Sequence, residues 1–243
     1  MKKTIPSLAA ILAVTAVTAV PTVAQAELAF NVGAVTDYRY RGISQTRLKP
    51  AIQGGIDFSA GGFYVGTWAS SIKWIKDAGG NSDAEVDFYG GYKGEIAKDL
   101  TYDVGVLRYQ YFDHDLAVSP NTTEVYGALT FGPATLKYSH AMTNLFGFSD
   151  SKNSSYIDLS ASFDVGGGFM LSPHIGYQKV KNNSDFSYTD YSLGVSKDFS
   201  GFLVSVAAVY ADVKKPGGTP AYIGPNGKNL GKTGLVLGVK YSF

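Results

Sequence analysis

The chain has three side chains of the type most often used for acid–base catalysis at neutral pH, and these are His114, His140 and His174. Ser139 stands beside His140, but neighbouring residues of a strand point to opposite faces, so the two side chains cannot form a Ser–His pair. Ser160 or Ser162 of an adjacent strand could pair with His140 in a lipid hydrolase, although nothing in the sequence identifies the partner. We therefore predict no catalytic residue and no enzymatic activity.

A metal ion has one conceivable site. His114 lies between Asp113 and Asp115, but such a run of polar residues is more typical of a solvated turn. The chain contains no cysteine, no zinc-binding spacing and no glycine-rich phosphate loop that opens a helix. We predict neither a metal site nor a cofactor.

Charged residues follow the first apolar segment of the chain. Asp37 and Arg39 share a polar face with Asn31 and Gly33, and Arg41 begins a long loop. These residues could form a charged constriction or anchor a ligand inside a closed sheet. The interpretation that we favour is an ion-pair network that holds the sheet and the loop together.

Further charges recur on the polar faces of later segments, and we predict that they point into the same interior. Both signs occur, so we expect no strong ion selectivity. The candidate lumen and constriction residues are Asp37, Arg39, Arg41, Asp57, Asp87, Lys137 and Lys240, and further lumen charges are Lys93, Glu124, Asp158 and Asp190.

The elements that position these residues have period-two hydrophobicity, which is typical of strands with one apolar face. The first segment, for example, carries Leu28, Phe30, Val32 and Ala34 on one face. We predict an all-β fold with twelve strands, at residues 28–38, 51–59, 62–74, 84–94, 99–112, 123–132, 133–142, 155–164, 168–180, 188–198, 201–213 and 233–243.

The connections between these strands alternate between long and short. The connection from Tyr40 to Pro50 is long, that from Ser59 to Gly62 is tight, and the longest runs from Lys214 to Lys232. Outer-membrane barrels have short periplasmic turns and long extracellular loops. We therefore predict a closed antiparallel transmembrane β-barrel, monomeric and in contact with outer-membrane lipids. The longest loop could fold into the barrel mouth as a constriction.

The last predicted strand has an apolar face with no polar tail, and this face is formed by Leu235, Leu237, Val239, Tyr241 and Phe243. A terminal strand of this pattern is what the barrel assembly machinery of the outer membrane recognises. Val239, Tyr241 and Phe243 are therefore the predicted assembly signal. We expect this strand to pair with residues 28–38 and so to close the barrel.

The N-terminal residues resemble a signal peptide. Lys2 and Lys3 precede an apolar stretch from Leu8 to Val20, and Ala24-Gln25-Ala26 forms a cleavage site. A transmembrane anchor is the alternative, but the stretch is shorter than the roughly 20 residues that span a bilayer. We predict a signal peptide at residues 1–26 and one barrel domain at residues 27–243, exported to the outer membrane of a Gram-negative cell.

The charge balance limits the possible partners of the chain, and the cysteine content limits the sources of its stability. The chain has 21 Lys and Arg and 20 Asp and Glu, so removal of Lys2 and Lys3 leaves 19 basic and 20 acidic residues. This balance predicts no nucleic-acid partner. Because the exported chain lacks cysteine, its stability has to come from a closed hydrogen-bond network rather than from disulfides.

Three local features carry weaker expectations. Segment 99–112 changes phase after Val106, where a bulge would explain the change. The polar loops at residues 77–83 and 149–155 are expected to be flexible. Aromatic residues near predicted strand ends are expected to form membrane-interface girdles, and they are Tyr38, Trp68, Trp74, Tyr92, Tyr111, Tyr138, Tyr177 and Tyr241.

Several motifs resemble the TorF family of porin-like outer-membrane proteins from proteobacteria. The most specific are Thr36-Asp37-Tyr38, Arg41-Gly42-Ile43-Ser44-Gln45, Pro50-Ala51, Gln53-Gly54, Gly66-Thr67-Trp68-Ala69-Ser70 and Glu85-Val86-Asp87-Phe88-Tyr89-Gly90-Gly91-Tyr92. The resemblance extends over the whole mature chain. It implies a β-barrel with a porin-like role, and it implies neither a substrate nor a catalytic residue.

Three functions remain open at this point. The leading hypothesis is a channel for passive diffusion of small polar solutes, because a closed barrel has a polar inner face. The first alternative is a non-conducting barrel with a structural or surface-binding role. The second alternative is the lipid hydrolase that would use His140.

Overall fold

The computed structural model describes residues 26–243, so the predicted signal peptide lies outside the described residues except for Ala26. The described chain is mostly strand, with one short helix, α1 (Trp74–Asp77), and two 3-10 turns (Ser184–Phe186 and Pro216–Gly218). The strands are β1 Glu27–Val35, β2 Arg39–Tyr40, β3 Ile43–Ser44, β4 Ala51–Ala60, β5 Phe63–Ser71, β6 Ala84–Ala97, β7 Leu100–Gln110, β8 Thr122–Phe131, β9 Ala134–Ala141, β10 Ser155–Ala161, β11 Phe163–Asp164, β12 Phe169–Lys179, β13 Tyr188–Phe199, β14 Phe202–Asp212 and β15 Gly234–Ser242.

The main sheet closes on itself as an antiparallel barrel. Sequential strands pair with one another, β10 also pairs with β12, and β1 pairs with both β4 and β15. β11 continues β10 after Ser162, and the two together form one barrel strand, so that the barrel has twelve strands. The predicted fold class is therefore confirmed. The short strands β2 and β3 pair only with each other.

The apolar faces predicted from the period-two pattern lie on the outside of the barrel. Leu28, Leu193 and Leu235 are each more than half exposed, and the strands of the last two also carry buried polar side chains, Ser192 and Lys240. A soluble protein would not leave so large a belt of apolar side chains uncovered. Lipid would cover this belt, since a closed barrel satisfies its backbone hydrogen bonds internally.

The first and last strands meet as the sequence predicts. Val32 stands opposite Tyr241, and Ala34 stands opposite Val239. At the end of this seam Phe30 and Phe243 exchange two backbone hydrogen bonds, and their rings stack with centroids 5.8 Å apart. Phe243 is thus integral to the last pair of the seam.

The connections divide the barrel into two unlike ends. Five turns at one end are short, at residues 61–62, 98–99, 132–133, 165–168 and 200–201, whereas the six connections at the other end are long, at residues 36–50, 72–83, 111–121, 142–154, 180–187 and 213–233. We call the latter the loop end. Within residues 26–243, no helix combines the length and hydropathy needed to cross a membrane.

The predicted bulge near Val106 is wrong. β6 and β7 pair without interruption through Val106, and their one irregularity lies between Glu95 and Ala97. Leu107 and Tyr109 simply face inward, where Tyr109 is buried. The phase change therefore marks an apolar patch on the inner wall, opposite the outward-facing Val104 and Val106.

The prediction of membrane-interface girdles is wrong for four of the eight aromatic residues, because these four lie inside the barrel. Tyr138, Tyr177 and Tyr241 lie exposed on the outer surface, but Tyr38, Trp68 and Tyr111 are buried inside the barrel. Trp74 belongs to α1 and packs on Tyr111. These inner aromatics form a core, which also contains Ile72 and Ile75, beneath the long loops.

The long loop that contains residues 149–155 packs against the next long loop. Leu145 is buried with Val180 from the next long loop, and the rings of Phe148 and Phe186 lie 4.5 Å apart. Hydrogen bonds from Asn182 and Asn183 to backbone oxygens tie the same two loops together. Each loop buries its apolar residues against the other loop, and neither loop could bury them alone.

Candidate functional site

The first long loop folds into the barrel instead of outward. We call residues 39–44, which comprise β2, β3 and their turn, the hairpin. The hairpin lies against the inner wall: a Cβ atom added to Gly42 would lie 2.7 Å from Cβ of Asp190 and 3.0 Å from Cβ of Ala211. Gly42 has a φ of +79°, which favours glycine. The turn can therefore lie close to β13 and β14, because Gly42 has no side chain.

Arg41 at the tip of the hairpin crosses the lumen. Its guanidinium forms two hydrogen bonds with the carboxylate of Glu124 on β8, at 2.7 and 3.0 Å, and a third with Oε1 of Gln178 on β12, at 2.7 Å. The ring of Tyr156 lies 4.2 Å from the guanidinium carbon. Two-pronged contacts of this kind fix both position and orientation. We call Arg41, Glu124, Gln178 and Tyr156 the latch.

Asp37 and Arg39 support the base of the hairpin. Their side chains form an ion pair, and Asp37 also accepts a hydrogen bond from Ser44. Arg39 donates to the backbone oxygens of Gly42, Leu230 and Lys232. This is the arrangement of a network that holds a loop in place, and it joins the first long loop to the last.

A second polar cluster lies next to the latch on β10, β12 and β13. His174 pairs with Asp158 and approaches Asp190 with Nδ1 at 3.6 Å. Tyr156 donates to Asp190 at 2.9 Å and lies 3.1 Å from Nε2 of His174. Tyr156 therefore connects this cluster to Arg41.

Carboxylates also line the opposite part of the wall. Glu85 is 2% exposed and accepts hydrogen bonds from the hydroxyls of Tyr38 and Tyr111. Asp87 is buried two residues further along β6, and its Oδ1 has no hydrogen-bond partner. At this level the lumen carries more negative than positive side chains.

The rest of the predicted lumen residues lie nearer the short-turn end. Asp57 accepts a hydrogen bond from Tyr89, and Lys137 lies 3.9 Å from the ring centroid of Tyr126. Lys240 on β15 is 8% exposed, at an inward-facing position. These residues do not converge on one point but are distributed around the wall.

Sequence reasoning missed several members of the site. Gln178 and Tyr156 had no assigned role, and His174 was considered only as a candidate catalyst. The alternating pattern places each of them on the inner face, but it does not reveal which strands stand opposite each other. The register that puts Gly176 between Asp158 and Asp190 is a property of the closed sheet.

A partly open cavity of about 290 Å³ lies at the loop end, above the hairpin. Nine aromatic side chains line it, together with Gln45, Asp77, Glu85, Gln178 and a few aliphatic residues. The aromatic residues are Tyr40, Trp74, Tyr109, Tyr111, Phe146, Phe148, Phe186, Tyr188 and Tyr222. Burial raises the pKa of Tyr222, and the hydrogen bond to Asp77 raises the pKa of Arg47 beside the cavity.

The structure offers little support for the enzymatic alternatives. His140 lies on the outer face, where its ring contacts Tyr138 and Asn153, whereas Ser160 and Ser162 are buried on the inner face. The Ser–His pair considered from the sequence is therefore not formed. Among residues 26–243 there is no cluster of His, Asp and Glu arranged to hold a metal ion.

Solved structures with a similar backbone are outer-membrane porins and channels. The KdgM porin in complex with disordered oligogalacturonate has a TM-score of 0.56 at 10% identity, over 90% of this chain and 99% of the porin. The NanC porin has a TM-score of 0.52 at 11% identity, over 89% and 99%. An outer membrane channel from Pseudomonas putida F1 has a TM-score of 0.51 at 11% identity, over 92% and 96%. The chain thus has a porin-like β-barrel fold.

The sequence also has an assigned family. The family model described as a bacterial protein of unknown function (Gcw_chp) matches residues 19–243, so the chain belongs to this family. No curated protein matches the sequence.

Proposed function

We propose that this chain is an outer-membrane channel for passive diffusion of small polar solutes, and that the hairpin controls its opening. The observation that carries the proposal is the latch: Arg41 at the tip of the hairpin binds side chains of β8 and β12 across the lumen, while Asp37 and Arg39 hold the base of the hairpin. These contacts are non-covalent, so the hairpin can leave the lumen while the wall stays closed.

The fold supports this function and its location. An apolar outer belt, a polar interior and closed antiparallel pairing are the features of outer-membrane channels. The TorF-like motifs include Arg41 to Gln45. The first four of these residues form the tip and the second strand of the hairpin, and Gln45 follows directly. The proposed signal peptide would direct export, and the loop end would then face the outside of the cell.

The charges of the lumen favour neutral or cationic solutes over anions. Glu85, Asp87, Asp158 and Asp190 lie near the hairpin, where Arg41 is already paired with Glu124. An anion such as the oligogalacturonate bound to the KdgM porin would meet these carboxylates. We therefore propose a solute class different from that of the KdgM complex.

Single-channel recording in planar bilayers tests the proposal. The variant that combines Arg41→Met and Glu124→Gln removes the ion pair without leaving one buried charge unpaired. Its conductance, or the fraction of time that it is open, should rise several-fold above that of the unmodified protein. Lys49→Met removes a positive charge from an exposed position of the same loop and should leave the recordings unchanged.

The alternative of a non-conducting barrel is favoured by one observation, which is the ordered layer of loops above the hairpin. The same recordings distinguish the two functions. If the latch variant and the unmodified protein are both silent in bilayers, although both are folded, the channel proposal is wrong. A structural or surface-binding role would then be the better account.

A further inference from the structure

The cavity above the hairpin has features of a ligand site that the channel function does not require. Its floor is Tyr40 and residues 43–45 of the first loop, and its walls come from α1 and from residues 145–148, 186–188 and 221–223. Its volume of about 290 Å³ lies near the lower limit for small-molecule sites.

The aromatic lining is held in a fixed arrangement. The rings of Tyr40, Tyr109 and Phe146 contact one another edge to face, with centroids 5.1 to 5.4 Å apart. On the other side, the rings of Tyr222 and Phe186 have centroids 5.7 Å apart. Two groups of rings therefore face a common space, and little rotamer freedom would be lost when a ligand enters.

The charged residues that line this space are both acidic. Among the described residues that line the cavity there is no Lys, Arg or His, whereas Asp77 and Glu85 are both present. Oδ1 of Asp77 is paired with Arg47 from outside the lining, but Oδ2 is buried and has no hydrogen-bond partner. Asp77 thus keeps one buried carboxylate oxygen whose negative charge has no direct partner.

Apart from Nε1 of Trp74, which has no hydrogen-bond partner, the remaining polar groups are largely occupied, which argues against a sugar. The side-chain amide of Gln45 donates to the backbone of Ile43, and Gln178 binds both Arg41 and the backbone of Ser155. Ser44 donates to Asp37. A saccharide with many hydroxyls would leave most of them unpaired, at a cost for each.

We infer that this cavity binds a small organic cation, namely an amine or quaternary ammonium group attached to an apolar body. Aromatic faces attract such a cation, and the carboxylate oxygen of Asp77 that has no hydrogen-bond partner adds to the attraction. An anion would be repelled by Asp77 and Glu85. The inference concerns binding and does not depend on whether the channel conducts.

Tryptophan fluorescence gives a direct readout. The chain has two tryptophans, and in the Trp68→Phe variant the remaining Trp74 lines the cavity. The full chain in uncharged detergent micelles would be titrated with benzyltrimethylammonium, and in parallel with neopentylbenzene, which is its neutral isostere, and with benzenesulfonate. Calorimetry on the unmodified protein would check that Trp68→Phe does not alter binding.

We expect saturable quenching of Trp74 by benzyltrimethylammonium, at least tenfold weaker binding of the neutral isostere, and no binding of the anion. Asp77→Asn should weaken binding of the cation about tenfold, and Tyr222→Leu should weaken it as well. Tyr210→Leu alters an exposed tyrosine on the outer face and serves as the matched control.

The Arg47→Met variant tests whether Asp77 attracts the bound cation or only supports the fold. This change releases the whole carboxylate of Asp77, so binding of the cation should become tighter while Asp77→Asn makes it weaker. If Asp77 were only structural, loss of either partner would weaken binding or leave it unchanged. Equal affinity for the cation and its neutral isostere, absence of saturable quenching, or weaker binding by Arg47→Met in a folded protein would overturn the inference.

Discussion

Gly42 is the residue at which the hairpin approaches the barrel wall most closely. Its φ is positive, and a Cβ atom added to it would lie only 2.7 Å from Cβ of Asp190, so there is no room for a side chain. We expect Gly42→Ala to destabilise the seated hairpin by about 2–4 kcal/mol, since overpacking and a strained backbone both contribute. The protein should then conduct more often in bilayer recordings.

A matched variant isolates the contact from the backbone strain. Gly227 also has a positive φ, of +72°, but a Cβ atom there would meet nothing within 4 Å. Gly227→Ala should therefore cost only the backbone strain of about 1 kcal/mol and leave conductance unchanged. Equal behaviour of the two alanine variants would contradict the close packing of the hairpin.

At the scale of single residues, the sequence predicted which face of the barrel a side chain lies on better than it predicted the hydrogen-bond partner of that side chain. Alternation places Asp87, Glu124 and Asp190 on the inner face, where the structure has them. The partner of Arg41 could not be predicted, because four strands separate β8 from β1 and the path of the loop decides which wall Arg41 reaches. The role of Arg41 in a constriction stays a prediction that the recordings above test.

At the scale of elements, β12 must pack closely under a tyrosine of β10. A Cβ atom on Gly176 would lie 1.9 Å from Oη of Tyr156. We expect Gly176→Ala to displace this ring from Arg41 and Asp190 and to lower stability in detergent by about 1–3 kcal/mol, measured by urea unfolding. In curved sheets, a glycine often leaves the space that an aromatic ring of the neighbouring strand occupies.

Two further variants make this prediction specific. Combined with Tyr156→Leu, Gly176→Ala should cost much less than the sum of the two single changes, since the shorter side chain leaves room for the methyl group. Gly194→Ala on β13 is the control, because the nearest atom to its Cβ would be 3.6 Å away. Additive costs in the double variant would show that the ring is not displaced.

The strands themselves were the most predictable elements, for a physical reason. Lipid on one side and polar groups on the other impose strict alternation, which needs no knowledge of neighbouring strands. β7 departs from this rule because its inner residues Leu107 and Tyr109 pack against the hairpin and the core rather than against water. The loops were the least predictable, because their order depends on contacts between them.

For the whole molecule, the end of β15 contributes to assembly and to closure. Phe243 supplies both backbone hydrogen bonds of the last pair with Phe30. We expect deletion of Phe243 to lower the amount of protein inserted in the outer membrane several-fold, as measured by heat-modifiable mobility of membrane fractions. Its outward-facing neighbours Val239 and Tyr241 belong to the same proposed assembly signal.

The control uses protein that bypasses cellular assembly. Chains lacking Phe243 that are refolded directly into lipid vesicles should show the same conductance as the complete chain, because the latch lies at a distance from this seam. A matched change of an equally apolar outer residue, Phe131→Ala, should leave insertion in cells nearly unaffected. Equal insertion of the two variants would count against an assembly signal at Phe243.

The hairpin belongs to a connection whose two flanking strands are neighbours in the sheet. β1 and β4 are paired from Glu27 and Ser59 up to Val35 and Ala51, and the chain leaves and re-enters the wall at this last pair. Movement of the hairpin would therefore break no hydrogen bond between strands of the barrel wall, although it would break those that Ser44 and Arg39 form with Leu230. If the hairpin opens the lumen as proposed, the wall would stay intact as the hairpin moves, and the temperature at which the wall melts and the frequency at which the lumen opens could evolve largely independently.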